Sequence, residues 1–591
     1  MSGLALVVAR TAPADVDAVT RMLAAVGHRG RRTSVSARGS VAVGACWDPD
    51  FPLASLADDG ELVAVVSGTF DNATETDLAS LAVASPDRND AALLLAAYRR
   101  WGDGAVARLR GSFAGIITDG TFVVVFRDHF GCRPLYHHEG AGGWFVATEV
   151  KQVVAGAGLR GEPDLDHLMR VLYGPVHLST AVRGVSRVPR ASFGSGPATG
   201  RAPQFRRHWD PDQFVESLGR VSDDEARDGL MSCLDRATQR MLGQDTAVLL
   251  SGGLDSPAIA ASALRATPLG PVRGVTAVYP EHPSVDERPW AEMISSHVGM
   301  PFHPYVAEAA AMDDVELWAS RLDGPVDRLS IPECAAAYTA ARRAGSRVVL
   351  NGEIAEYLLD SRSGLLSHLL YRGRWIALAR QVEQRRDRGR PRYRIAREIA
   401  REAAPSSLMK RYYEHQEWWG SYLPAWLDVD RAMAVWEEQS ATPWTRWRGT
   451  QTLAFGGAGH QMEAGETTGA YCGVDVRRPF TDVDLWQFVL GLPAQVKHGT
   501  LRPKQLLRDG LRGRLPDAHL DRTDKTLFDE FHLATIQYPV LKGLLTEPDV
   551  RLPGVDYDLL QRTLEEAALT TRELRWVRDL AKIHAYLAEA G

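Results

Sequence analysis

One stretch of fifteen residues constrains this chain more than any other: VLLSGGLDSPAIAAS, residues 248–262. An apolar run stops at a glycine pair, Gly252 and Gly253, and an alanine-rich segment begins directly after it. Glycines at such a place let the backbone turn tightly and approach an anion closely. The N–H groups of the turn and of the first helical turn then form an anion site. Ser251 and Ser256 add hydroxyl donors, and Pro257 suits a first helical turn, where its missing N–H costs nothing. Asp255 would repel phosphate unless a divalent cation stood between them, so the stretch predicts a metal–phosphate ligand. It lacks both the lysine of GxxxxGK[ST] and the spacing of GxGxxG, so neither a P-loop nor a dinucleotide site fits.

A strand that turns straight into a helix implies an α/β unit, and the flanking sequence repeats the alternation. Ser222 and Glu225 form a capping-box signature, after which Leu230, Met231, Leu234, Ala237 and Met241 recur at helical spacing. The strand TAVLL, a second strand VRGVTAVY, a helix from about Glu287 to Val298 and a later strand SRVVLNG follow. This order predicts a parallel sheet with right-handed crossovers. Beyond about residue 360 the pattern is mostly helical. Residues 1 to about 210 read differently. LVAVVSGTF, GSFAGIITDGTFVVVFRD and GGWFVATE are β-branched and aromatic runs broken by Asp-Gly and Gly-Gly, with one helix, DAALLLAAYRRWG, among them. They predict an α+β or sandwich domain over 1–205, a Gly/Pro-rich linker at 194–204, and a second domain over 206–591. Two domains suit 591 residues, too many for one core.

Composition removes several function classes. A net charge of −6 carries no nucleic-acid footprint. Five scattered cysteines without a CxxC pair or a Cys/His cluster argue against zinc and for a reducing cytoplasm. No basic start precedes an apolar stretch, so no signal peptide is expected, and no run is long enough to span a bilayer. Seven lysines stand against 61 arginines, so each lysine stands out, and Lys497, Lys504 and Lys525 fall close together.

The loop SGGLDS resembles the pyrophosphate loop of the asparagine-synthetase-type ATP-pyrophosphatases. The resemblance extends through VYPEHPSVDERPWAEMISSHVGMPFH, through the run ending in VVLNGE, and through the segment from GVDVRRPFTD to LDRTDK. At the amino end, LRGSFAGIITDGTFVVVFRDHFGCRPLYH and FVATEVKQVVA are similar to the family's glutaminase half. The match implies an Ntn-hydrolase-like sandwich followed by an adenine nucleotide α-hydrolase-like ATP-pyrophosphatase domain with a largely helical C-terminal part. It implies an enzyme that uses ATP and Mg²⁺ to make an acyl-adenylate and release pyrophosphate. By the same resemblance Ser251, Gly252, Gly253, Asp255 and Ser256 hold pyrophosphate and metal. Glu356 falls where the family's second metal ligand, an Asp, stands, because L-N-G-E-I-A-E-Y replaces L-S-G-E-G-S-D-E. Glu353 matches the motif's acid, a base or orienter for the incoming amine. Gly352 lies beside the nucleotide, and Leu249 and Val278 fall where backbone contacts to adenine are expected. Lys504 matches the lysine that meets the adenylate and the transition-state charge, a task suited to a compact cation. Lys525 matches the lysine of R-x-K, with one extra residue after Arg522, while Arg477 and Asp482 fit structural roles.

The glutaminase half departs from the family. A working glutaminase needs an amino-terminal cysteine thiolate. Here removal of Met1 would expose Ser2, and SGTFDN puts Ser67 where an amide-bearing Asn belongs. The expected nucleophile is therefore an amine already on the substrate. Among family branches with that logic, the chain is most like the lasso-peptide cyclases, which adenylate an Asp or Glu side chain of a precursor core peptide and close a macrolactam with its N-terminal amine. A leader peptidase and a leader-peptide recognition protein are the partners such an enzyme implies, with neither nucleic acid nor membrane. The alternatives are a small-molecule amidoligase, β-lactam-synthetase-like or ammonia-dependent, and an inactive scaffold. Residues 360–450 lie outside the resemblance and hold Trp375, Trp418, Trp419, Trp426, Trp436, Trp444 and Trp447 among arginine-rich runs. Aromatics and arginines are enriched in peptide-binding surfaces, and packed helices with a solvated basic face would use the same residues.

Overall fold

The computed structural model describes residues 2–11, 13–84, 89–173, 178–266, 270–326, 330–405, 407–408, 423–432, 434, 443–452, 459–524, 526–566 and 569–590. Its first domain stacks two six-stranded antiparallel sheets. The strand Ser2–Ala9 shows how the layers arise, since all eight of its residues are buried. Alternate side chains point to opposite faces of a strand. Leu4, Leu6 and Val8 meet Val63, Val65 and Ile116 of the second sheet. Ala5 and Val7 meet Val19 and Met22 of the helix Val16–Ala24 on the outer face. The helix Asp90–Trp101 covers the other sheet in the same way.

The expected linker at 194–204 is part of this sandwich. Ser192–Pro197 forms a strand paired with Phe122–Arg127, and a hairpin returns the chain to the edge strand Phe205–Arg207. The edge strand pairs only as far as Gly194, so Pro197 withholds an N–H where that ladder has already ended.

The second domain is built on a five-stranded parallel sheet: β1 (Thr246–Leu249), β2 (Val272–Val278), β3 (Phe302–Val306), β4 (Val348–Leu350) and β5 (Asp475–Arg477), in the order β3-β2-β1-β4-β5. The order reverses at β1, and in open parallel sheets the crevice beyond the carboxyl ends at such a reversal is where ligands bind. Helix α1 (Asp223–Met241) starts at the expected capping box, Ser222 Oγ accepting from Glu225 N and Glu225 accepting from Ser222 N at 2.9 Å. Helix α2 (Asp255–Arg265) follows β1.

Buried charge pairs join the domains. Arg29, Arg127, Arg133 and Arg187 of the first meet Glu463 and Glu466 on helix α4 (Gly459–Cys472) and Asp475 on β5. Helix α3 (Trp375–Asp387) precedes α4 within the second domain.

Of the three tryptophans in the tryptophan-rich region whose side chains are described, two are packed inside the protein. Trp426 is 1 % exposed, within a core cluster with Leu541 and Leu580, and Trp447 is 3 % exposed against Leu365 and Leu369. Only Trp375, 62 % exposed, stands in solvent among the tryptophans of this stretch whose side chains are described. Trp418, Trp419 and Trp436, and the side chain of Trp444, lie outside the described residues.

Candidate active site

The loop after β1 sits at the sheet's reversal point. Ser256, in the first turn of α2, receives Ser251 N at 3.0 Å through its hydroxyl, and the two hydroxyls are 3.0 Å apart. Gly253 N donates to Ser251 Oγ at 3.2 Å, so the serines brace the turn from within. Gly252 N donates to Glu287 Oε2 at 3.0 Å, which places a carboxylate against a backbone N–H of the anion loop. A Cβ on Gly252 would stand 3.0 Å from Cβ of both Glu287 and Trp290, so the position admits only glycine without displacement. Arg522 donates to Gly252 O at 2.9 Å. His519 donates through Nε2 to Gly253 O at 2.7 Å. Burial holds the His519 imidazole below its ordinary pKa despite those carbonyls, which favours the neutral ring that this donation uses.

Five further segments close a cavity of about 550 Å³ around the loop, its wall including Asp255, Glu356, Asp360, Lys504 and Arg522. Lys504 Nζ lies 2.5 Å from Asp255 Oδ2. Gly352 follows β4, and a Cβ there would come within 2.9 Å of Asp255 Cβ, so the β4 turn packs directly on the start of α2. Leu249 and Val278 stand at the carboxyl ends of the neighbouring strands β1 and β2. Glu353 turns elsewhere, and it is absent from the described wall of that cavity. Its Oε2 receives Arg478 Nε at 2.6 Å, and Arg478 is buried. Arg477 bonds Asp475 at 2.6 Å and Met241 O, and Asp482 caps the helix Val483–Gly491 through Leu485 N while pairing with Arg240. Lys525 lies outside the described residues. Lys497 does not join Lys504. Its amine is buried, bonded to Gln451 Oε1 at 2.6 Å, and lines a separate cavity of about 720 Å³.

The acids fit a hydrated magnesium. Among the described residues no group of three or more His, Cys, Asp or Glu side chains gathers to cage an ion. Mg²⁺ keeps several waters and is usually held by one or two carboxylates plus substrate phosphates, the donor set that Asp255 and Glu356 offer beside the loop.

The family model for asparagine synthase matches residues 229–587. The chain belongs to the asparagine synthase family. Residues 49–155 match a glutamine amidotransferase domain. A putative glutamine-hydrolyzing asparagine synthetase of Mycobacterium tuberculosis is 36% identical over 190 residues, 30% of this chain and 29% of that protein. The carboxyethyl-arginine beta-lactam-synthase of Streptomyces clavuligerus is 32% identical over 226 residues, 37% of this chain and 40% of that protein. Amidase chyE of Penicillium rubens is 27% identical over 323 residues, covering 50% and 46%. The chain thus spans less than half the length of each of these relatives.

The two serines singled out in the glutaminase-like half lie out of solvent. Ser2 Oγ and Ser67 Oγ bond each other at 2.8 Å, both wholly buried. Cys46, which a Cβ on Gly3 would reach within 3.0 Å, is buried, and burial pushes its thiol up to about 11.

His519 and Arg478 escaped the sequence reading, because a single histidine in the short helix Asp517–Leu520 or a single arginine directly after β5 carries no local signal. Glu287 lies within VYPEHPSVDERPWAEMISSHVGMPFH, a segment whose resemblance carries no residue role. No described helix is long and apolar enough to cross a membrane.

Proposed function

We propose that this chain is an ATP-dependent, AMP- and pyrophosphate-forming carbon–nitrogen ligase, and that its substrate is a peptide which it closes into a macrolactam, as lasso-peptide cyclases do. The observation that carries the reading is the loop at the sheet's reversal point, with Asp255, Glu356 and Lys504 on one cavity wall. A side-chain carboxylate of Asp or Glu attacks the α-phosphorus, the bond to the β-phosphate oxygen breaks, and pyrophosphate leaves against the N–H groups of the loop. Asp255 and Glu356 would hold Mg²⁺, which neutralises phosphate charge. The peptide's N-terminal amine then attacks the acyl carbon, loses a proton, and AMP departs. Lys504 offers a compact cation to the charge that develops on the phosphate and the acyl oxygen. Glu353, ion-paired to buried Arg478, stands off that wall and takes no part in these steps. Holding both reacting groups on one scaffold raises their effective concentration.

One observation supports an internal amine over ammonia from glutamine: Ser2 and Ser67, buried and hydrogen-bonded to each other, stand where the resemblance expects a cysteine nucleophile and a glutamine-holding Asn. An added 720 Å³ cavity beside the centre, flanked by Trp375 and by Ile376 at 74 % exposed, gives a peptide room to be held. The likeness to the beta-lactam-synthase favours a second reading, closure of a small ring on a non-peptide amino acid. The test is pyrophosphate release with Mg·ATP and either a linear core peptide or β-amino acid substrates, with mass spectrometry of products. A peptide lighter by one water supports cyclisation, and turnover confined to the small substrates refutes it. A leader peptidase, a leader-recognition protein and a cytoplasmic setting belong to the same proposal.

A further inference from the structure

Residues 498–502 run from the short helix Ala494–Lys497 towards Lys504 without regular structure of their own. All five of their main-chain carbonyls are nevertheless engaged by side chains from residues 362–388. His498 O accepts from Gln381 Nε2 at 2.7 Å. Gly499 O accepts from Gln384 Nε2 at 2.9 Å and more weakly from Gln381. Thr500 O and Arg502 O accept from the two ends of the Arg362 guanidinium at 2.6 and 2.8 Å. Leu501 O accepts from Arg388 Nη1 at 3.2 Å. The start of the run is tied to the same region, because Gln451 holds Lys497 Nζ and donates to Ser361 O at 2.8 Å.

At the other end Lys504 has a left-handed backbone, φ 53°, immediately before the helix Gln505–Gly510. A non-glycine residue keeps that conformation only where its surroundings over-determine it. The surroundings here include the five engaged carbonyls, together with Arg508 Nε on Pro503 O at 3.2 Å and the Lys504–Asp255 pair at 2.5 Å. Arg362 also grips Asp360 Oδ1 at 2.8 Å, and Asp360 is part of the active-site wall, so one guanidinium spans the wall and the strap.

We propose that Arg362, Gln381, Gln384 and Arg388 are positioning residues for Lys504: they fix the 498–502 backbone so that the ammonium stands at the phosphate side of the cavity. The inference rests on the reading of Lys504 as the charge-stabilising lysine of an ATP site. It assigns work to a segment that the family resemblance leaves without a role. None of the four side chains is required to touch the reacting atoms for this. Arg388 itself lines the cavity, while Arg362, Gln381 and Gln384 act through backbone geometry, and a displacement of about 1 Å at such a lysine is worth up to a hundredfold in rate.

The test reads Lys504 directly and needs no knowledge of the peptide. An ATP acyl-phosphate probe transfers its acyl group to a lysine amine lying against the nucleotide's phosphates, with ATP as the leaving group. Labelling of each lysine is then counted by peptide mass spectrometry on the full-length protein. The wild type should label at Lys504. At saturating probe, Arg362→Ala and the double variant Gln381→Ala/Gln384→Ala should label there about tenfold more slowly, with half-saturation changed less than about twofold. Arg362→Lys, which keeps one donor, should recover part of the rate. Gln384→Ala alone removes one 2.9 Å bond and guards against a folding defect, with a smaller loss of about two- to threefold expected. Wild-type labelling rates in the variants would overturn the strap, as would slow labelling that reflects only weaker probe binding. No Lys504 labelling in the wild type would instead remove the nucleotide placement, and with it the basis of the strap.

Discussion

Replacing Arg29 by methionine tests how the two domains are held together. The guanidinium is fully buried and donates to Glu466 through both terminal nitrogens at 2.8 Å, to Glu149, to Ser2 O at 3.0 Å and to Thr467 at 3.3 Å. Methionine fills most of the volume but leaves two buried carboxylates short of a partner. Removing one member of a buried ion pair costs about 3–5 kcal/mol. Here Glu466 keeps Arg133 at 2.7 Å, and Glu149 keeps His28 at 2.8 Å and Lys151 at 3.2 Å. The loss should therefore lie at the lower end, about 3 kcal/mol. For a cooperative unit of roughly 200 residues that is a fall of about 6–12 °C in the first thermal transition. Burial alone would raise both carboxyls, but their cationic partners, Arg29 foremost, hold Glu149 and Glu466 below the usual carboxylate range. A depressed carboxylate contributes stability that is present above its unfolded pKa and lost as pH falls through the folded one. The gap between wild type and variant should accordingly be widest near pH 7 and narrow on acidification below about pH 4.5. Calorimetry at several pH values measures this, with Arg183→Met, in an exposed pair with Glu162, as the neutral control. A shift under about 2 °C at pH 7, or a gap that widens in acid, would refute the view that this network carries the domain interface.

Two further outcomes follow from the site and its neighbour. Lys504→Ala should lower the rate of pyrophosphate formation about 10²–10³-fold with little change in the KM for ATP, and a loss under about fivefold would remove Lys504 from the transition state. Burial brings the Lys497 amine down to about 7, below its unfolded value. Between those two values the unfolded chain binds the proton that the folded one rejects, so the wild type gains stability as pH rises. Relative to Lys497→Met, which cannot titrate, it should gain about 1 kcal/mol or more from pH 7.5 to 9 in denaturant titrations, and a flat difference would contradict the burial argument.

The sequence alone determined what local backbone chemistry can decide. A strand end, two glycines, a hydroxyl five residues after Ser251 and a proline in the first helical turn fall within nine residues of chain, Leu249 to Pro257. Ser256 accordingly reaches Ser251, and the Ser222–Glu225 cap forms as its spacing dictates. The parallel sheet followed from strand–helix alternation, whose crossovers admit one hand. Where local composition was ambiguous, the tertiary structure decided. Glycine and proline at 194–197 suit a linker or an outer strand equally, and pairing with Phe122–Arg127 chose the strand. Tryptophan suits a core or a docking surface equally, and the packing of Leu365 and Leu541 put Trp447 and Trp426 inside. His519 on the loop carbonyls, Arg478 on Glu353 and the side chains that grip 498–502 join residues more than a hundred positions apart. Their meeting depends on how the whole chain closes on itself, which no short-range pattern encodes.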